Sequence, residues 1–233
     1  MKIILPILLI ALLLCGCVVR PASQNTADVS DSVTPEAFLS LVMDLGAAEV
    51  TVQPGDDWGV EYKLPAAPEI TQDNDTLRIR DLTEHRNFSL GEKDYYVRVT
   101  VPEGIDLQHV ELRSGVGDLK LQNLNVAEGV IELGVGEVEL EHMAVSTLSI
   151  ETGTGDSALE DVDVTVMSAE SGTGSIELDL IGAPEDYSLD LSTGVGSVEV
   201  AGRDQGTKHF TQGGEKTVKA MTGVGDIDVE FQG

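Results

Sequence analysis

The sequence predicts an all-β chain: a β-solenoid, or single-stranded β-helix, of coils about nineteen residues long, entered through an irregular β section. Three observations lead there. The first is a Gly-x-Gly motif that returns at Gly115-Val116-Gly117-Asp118, Gly134-Val135-Gly136-Glu137, Gly153-Thr154-Gly155-Asp156, Gly172-Thr173-Gly174-Ser175, Gly194-Val195-Gly196-Ser197 and Gly223-Val224-Gly225-Asp226, at spacings of 19, 19, 19, 22 and 29 residues. Self-similarity at such a period marks stacked repeats, each burying its apolar face against the next. The second is apolar alternation with period two between the motifs, which is the signature of strands with one buried face. The third is composition: 25 glycines and only nine aromatics in 233 residues. Glycine permits the tight corners that separate short strands.

The chain opens with Met1-Lys2 and an apolar run from Ile3 to Leu14, broken only by Pro6. That is signal-peptide length and too short to span a bilayer of ~30 Å. The run ends in Leu14-Cys15-Gly16-Cys17, which resembles the lipobox of bacterial lipoproteins. Small Gly16 precedes Cys17, whereas bulky Leu14 precedes Cys15, so the resemblance implies a signal peptide over 1–16 and lipidation of Cys17. The chain is thereby expected to be exported and held in the bacterial cell envelope through a lipid anchor. Val18 stands where an inner-membrane retention signal would place Asp, which favours an outer membrane where the cell has one. Both cysteines lie in the first 17 residues, so no disulfide is expected in the domain. Residues 17–36, rich in Ser, Thr, Asn, Asp and Pro, read as a flexible tether with a mean reach of roughly 25 Å.

Residues 37–104 read as an N-terminal β section and cap. Trp58, Val60, Tyr62 and Leu64 alternate, as do Leu77/Ile79 and Tyr95/Val97/Val99/Val101. Most aromatics fall here, as a cap over an open core would require. Residues 105–233 are the repeats, with a degenerate earlier copy at Gly46-Ala47-Ala48-Glu49. Apolar pairs follow each motif (Val138/Leu140, Ile176/Leu178, Ile227/Val229), precede it (Leu148/Ile150, Met167/Ala169, Leu189/Leu191) and fall mid-repeat (Leu124/Val126, Met143/Val145, Val162/Val164). Three pairs per coil suggest three sides, with two sides and a wide corner as the alternative. A leucine-rich repeat shares part of the rhythm but needs a recurring Asn and a helical segment.

The strand-forming start, the joint Val101-Pro102-Glu103-Gly104 and the Gly-x-Gly-Asp coils together resemble the toastrack, or bacterial putative-adhesin, family of β-strand repeats, over about residues 38 to 233. The resemblance implies a β-helical fold and an envelope setting, and it carries no catalytic residues.

Charge excludes one class of partner outright. Fourteen Lys and Arg against 41 Asp and Glu give a net charge of −27, which the phosphate backbone of a nucleic acid would repel. His85, His109, His142 and His209 lack ligand spacing, and no cysteine supports them, so neither metal nor cofactor is expected. Ser114 and Ser171 read as corner residues. Gly-Val-Gly-Asp lacks the helix and Lys of a phosphate loop. Asp118, Glu137, Asp156 and Asp226 form one column, each read as capping backbone N–H groups at its own corner, with a calcium cage as the alternative. Glu139, Glu141, Glu160, Glu177, Asp179, Glu199, Asp228 and Glu230 are expected on one outward side, and Glu132, Glu151 and Glu170 on another. The insertion Ala201–Thr217 is locally basic, with Arg203, Lys208 and Phe210, and is expected to cover the open edge of the last strand. The reading is a non-enzymatic, lipid-anchored envelope protein presenting an adhesion, binding or scaffolding surface to an envelope protein or polysaccharide, with Glu139, Glu141, Glu177, Asp179, Arg203, Lys208 and Phe210 as the partner surface. An envelope-stress sensory accessory and a carbohydrate-active β-helix enzyme are the alternatives.

Overall fold

The computed structural model describes residues 28–81 and 94–233. The signal segment, Cys17 and His85 lie outside them. The described residues form strands and one 3-10 turn at Pro184–Asp186, and none of their helices is long and apolar enough to cross a membrane.

The repeats stack. Strands β1 (Val29–Val33), β2 (Ser40–Ala47), β3 (Glu49–Gly55), β4 (Gly59–Leu64), β5 (Glu69–Asp73), β6 (Thr76–Arg80) and β7 (Tyr96–Pro102) precede β8 (Asp106–Val116), β9 (Leu119–Gln122), β10 (Asn125–Val135), β11 (Val138–Thr154) and β12 (Ser157–Thr173). From β8 to β12 all pairing is parallel and in step with the sequence period: Ile131 lies beside Leu112 on one side and Ile150 on the other. Each repeat is therefore one rung, with neighbours at the ~4.8 Å of a sheet. In the rung built by β11, Val138/Leu140, Met143/Val145 and Leu148/Ile150 are all at most 4% exposed. The three apolar pairs read from the sequence thus form one continuous core column, while the residues between them point outwards.

Corners hold the period. Gly115, Gly134, Gly153, Gly172, Gly223 and Gly194 succeed one another up the stack, as do Gly117, Gly136, Gly155, Gly174, Gly225 and Gly196. A Cβ on Gly155, whose φ is +139°, would sit 2.7 Å from the carbonyl carbon of Gly136 and closer still to its oxygen. Rungs can approach to sheet spacing there only because no side chain intervenes. A second corner column was not anticipated: Asn123, His142 and Asp161 hold φ of 54°, 53° and 54°, a left-handed conformation that Asn, Asp and His tolerate better than other side chains. Ser114 and Ser171 directly precede the corner glycines, and Ser114 Oγ donates to Val116 O at 3.4 Å within its own corner. They face inward with Thr152, Thr193 and Thr222, in a buried hydroxyl row just before the glycines. Thr222 donates to Gly174 O and Thr193 to Gly225 O, each at 2.8 Å, satisfying corner carbonyls across rungs.

At both ends the rung order departs from the chain order. β2–β3 sits between β6–β7 and β8–β9. The later strands are β13 (Ile176–Ile181), β14 (Tyr187–Val195), β15 (Val198–Val200), β16 (Arg203–Asp204), β17 (Lys208–Phe210), β18 (Lys216–Val224) and β19 (Ile227–Gln232). β18–β19, last in sequence, lies between β12–β13 and β14–β15. The expected open edge at Asp226–Phe231 is thus an interior strand. The insertion does cover an edge, but that of β14–β15, through antiparallel β17 and β16. At the other end the β5–β6 hairpin and antiparallel β4–β7 close the stack. The expected tether does not extend to residue 36, because Val29–Val33 pairs antiparallel with Leu64–Val60 of β4; its residues 17–27 lie outside the described residues. The alternating Ser and Asp of β1 suit a strand with only one neighbour, whose other edge must stay wet.

Candidate functional site

Outward positions on a stacked strand are fixed in register, so the acidic residues form columns set by the fold. Past the second glycine corner, Lys120, Glu139, Ala158, Glu177, Asp228 and Glu199 follow one another across paired rungs. Gln122, Glu141 and Glu160 run alongside, and Asp179 pairs with Glu230. Lys120 closes the base of the face, reaching Glu139 Oε2 at 2.8 Å and Glu141 Oε1 at 2.7 Å. Hydrogen bonds to those two carboxylates hold its ammonium well above the ordinary lysine range. Further up, Glu177, Asp228 and Glu199 stand in successive rungs. Asp179 accepts from Gln232 Nε2, yet its Oδ1 and that of Asp228 are shielded from water without a hydrogen-bond partner. Each costs desolvation that nothing local offsets.

The sequence places four of the predicted partner-surface residues, Glu139, Glu141, Glu177 and Asp179, on this face. Arg203, Lys208 and Phe210 are elsewhere, on the edge strands β16 and β17. Phe210, 64% exposed, lies beside Asp190 of β14, and Lys208 beside Ser192. The structure therefore divides the predicted surface: Arg203 adjoins the end of the acidic face, on β16 beside the strand that carries Glu199, whereas Lys208 and Phe210 lie on a separate edge along β14.

A second outward column carries Asp44, Arg113, Glu132, Glu151 and Glu170 in successive rungs. Arg113 binds Glu111 at 2.6 Å and Glu132 at 3.0 Å, and Lys219 binds Glu170 at 3.0 Å. Beside it runs a surface groove of about 520 Å³, lined by Arg113, Glu132, Glu151 and the glycine corners.

The corner carboxylates act as N–H caps, but across rungs and not within their own corner. Asp118 Oδ1 accepts from Glu137 N at 2.9 Å, Asp156 Oδ1 from Ser175 N at 2.7 Å and Asp226 Oδ1 from Ser197 N at 2.7 Å. The bonds from Ser197 lower the Asp226 pKa. Glu137 is different. Partial burial, then the carboxylates of Glu139, Asp118 and Asp156, push its pKa above the ordinary 4.5. Folded Glu137 therefore holds a proton more readily than unfolded Glu137, and its ionised form opposes folding at neutral pH. That penalty fades as pH falls through the raised value and is gone below the unfolded one. Glu137→Gln should consequently raise the thermal midpoint at pH 7 and lose its advantage below about pH 4; parallel midpoint-against-pH curves for the two proteins would contradict the assignment. Among the described residues no three His, Cys, Asp or Glu side chains are grouped as a metal site requires.

The family model described as Toastrack DUF4097 matches residues 38–179 and again 103–230, an overlap natural for a repeat. Among solved structures, a "putative cell adhesion protein" from Clostridium sporogenes ATCC 15579 is similar over 88% of this chain and 100% of that one, at 20% identity and a TM-score of 0.54. A "putative adhesin" from Bacteroides fragilis NCTC 9343 aligns over 88% of this chain and 97% of its own, at 15% identity and a TM-score of 0.44. The first likeness shows a shared fold. No curated protein matches the chain significantly. Since the family model covers the stack and its cap from Phe38 to Glu230, the chain belongs to the Toastrack DUF4097 family.

Proposed function

We propose that this chain is a non-enzymatic, lipid-anchored protein of the bacterial cell envelope. Its stack is a β-solenoid of Gly-x-Gly coils that presents a rigid acidic surface for adhesion, binding or scaffolding. One observation carries the reading: from Leu121 to Gly202 the chain has 17 Asp and Glu and neither Lys nor Arg, and the register turns that excess into straight columns. A rigid array of like charge raises the local concentration of cationic groups and steers their approach. The partner that fits is a basic segment of another envelope protein, or a polysaccharide carrying cationic groups.

A decalysine peptide is a suitable probe. Calorimetric titration should show binding at low salt that weakens as NaCl screens the face. The variant Glu177→Gln/Asp228→Asn/Glu199→Gln should bind about tenfold more weakly, as loss of a few favourable charge contacts implies. Equal affinity of variant and parent would remove this face as the binding surface. Release of reducing ends from any envelope polysaccharide would overturn the non-enzymatic reading.

The anchor has its own test. Cys17→Ser should abolish labelling by a fatty acid fed to the cells, whereas Cys15→Ser should leave it intact. Label retained on the Cys17 variant would refute the lipidation site.

A further inference from the structure

The rung formed by residues 216–232 is last in the chain but not last in the stack. β18 pairs in parallel with β12 and β14, and β19 with β13 and β15. It therefore fills a gap between two rungs that are consecutive in sequence. Residues 201–215 connect it to β15. That connector first lays β16 and β17 along the outer edge and then crosses back over the start of β14.

The crossing is tightly specified. Ser188 Oγ donates to Gly214 O at 3.1 Å and accepts from Gly213 N at 3.2 Å. A Cβ on Gly214 would collide with the backbone of Asp186 and Tyr187. Lys216 Nζ then donates to Asp163 Oδ1 at 2.6 Å, Ile181 O at 3.1 Å and Tyr187 OH at 3.3 Å. The first residue of the rung is thus pinned to the rungs on both sides. Without this rung, β12–β13 and β14–β15 would face each other as two parallel edges with a single rung missing.

We propose that this gap is an exchange site, in which the C-terminal rung of a second copy of the chain can take the place of the molecule's own. The swap is reciprocal and joins two copies through residues 216–232. Apart from the bond from Ala201 N to Val229 O, the ladder bonds, the glycine corner at Gly223–Gly225 and the Lys216 contacts run between this rung and residues 157–200. A swapped pair keeps every one of them and changes only the path of the connector. What opposes it is the entropy of association, which higher protein concentration offsets. The inference rests on chain topology and stands apart from the acidic-face reading.

Thr173 and Val224 are exposed register partners, and parallel neighbours at ~4.8 Å fall within the Cα range of a disulfide. In a Cys15→Ser/Cys17→Ser background the chain has no other thiol. Chains carrying Thr173→Cys and chains carrying Val224→Cys are unfolded together, refolded at high concentration and oxidised. The expected product is a covalent dimer holding one chain of each kind. Its yield should rise with refolding concentration and be at least tenfold lower when the two proteins are mixed already folded. The Thr173→Cys/Val224→Cys double variant, refolded dilute, should close the same bond within one chain. No mixed dimer after joint refolding, while the double variant closes, would overturn the proposal. So would equal yields with and without unfolding, which mean surface collision, or a double variant that fails to close.

Discussion

Gly155→Ala is expected to cost at least about 4 kcal/mol, the range reserved for changes that break a core or a strained backbone position. Gly155 holds φ +139°, and the added methyl would meet the Gly136 carbonyl from a distance no real Cβ occupies. What it would strike is backbone, so no side chain can turn aside. Relief requires the two rungs to separate locally, which breaks ladder bonds on both sides of the corner. Gly104→Ala is the control. Its φ of +76° is also positive, though nearer the left-handed basin than +139°, and nothing lies within 4 Å of the added atom, so only the conformational cost of about 1–2 kcal/mol applies. Urea unfolding of the two variants separates close approach from backbone conformation. Similar losses would mean that the corner glycines serve φ alone and that the rungs are less tightly stacked than described.

Leu148→Ala should cost about 2–5 kcal/mol, towards the upper end, because the site cannot collapse around the loss. Gly129 occupies the matching position one rung below, where the other rungs carry Val110, Met167, Leu189 or Val218. A Cβ there would lie 3.0 Å from Leu148 Cδ1, so Leu148 already spreads into the room that Gly129 leaves. A void of about 10 Å³ bounded by Val110, Gly129, Ile131, Leu140 and Leu148 remains. Shortening Leu148 merges its volume with that void. Glu151→Ala, three residues on and facing outwards, should stay within about 0.5 kcal/mol of the parent. Equal destabilisation by the two changes would show that the strand phase is wrong.

The rung and its inward face were legible because each repeat states its pattern locally. Period two marks Leu148 and Ile150 as inward and Glu151 as outward without reference to any other rung. The acidic columns follow from the same phase combined with a constant period. Rung order was not legible, for the same reason. Every coil carries the same apolar pairs and glycines, so each edge accepts any rung equally well in sequence terms. The spacings of 22 and 29 announced insertions but not that the second one carries the chain across a rung. The left-handed column at Asn123, His142 and Asp161 is not legible from residue type, because three different residues share one conformation; their separation by the repeat period is the signal the sequence offers. The inward facing of Ser114 and Ser171 was not legible, because a hydroxyl beside glycine reads as a turn. Here it faces inward, in a row whose Thr193 and Thr222 bond carbonyls of the neighbouring rung. At β1, Ser and Asp residues typical of a linker form a strand, because backbone pairing with β4 along one edge suffices while four of its five side chains stay exposed.

Rung order is the claim on which the rest depends, and three cysteine pairs test it in one oxidation experiment on the Cys15→Ser/Cys17→Ser chain, refolded dilute. With residues 216–232 between the two earlier rungs, Thr173→Cys/Val224→Cys and Val195→Cys/Val224→Cys should each close rapidly within one chain. Thr173→Cys/Val195→Cys, two rungs and roughly 9.6 Å apart, should stay reduced. Rapid closure of the 173–195 pair, with either pair to position 224 remaining open, would place the rungs in simple chain order and contradict the account.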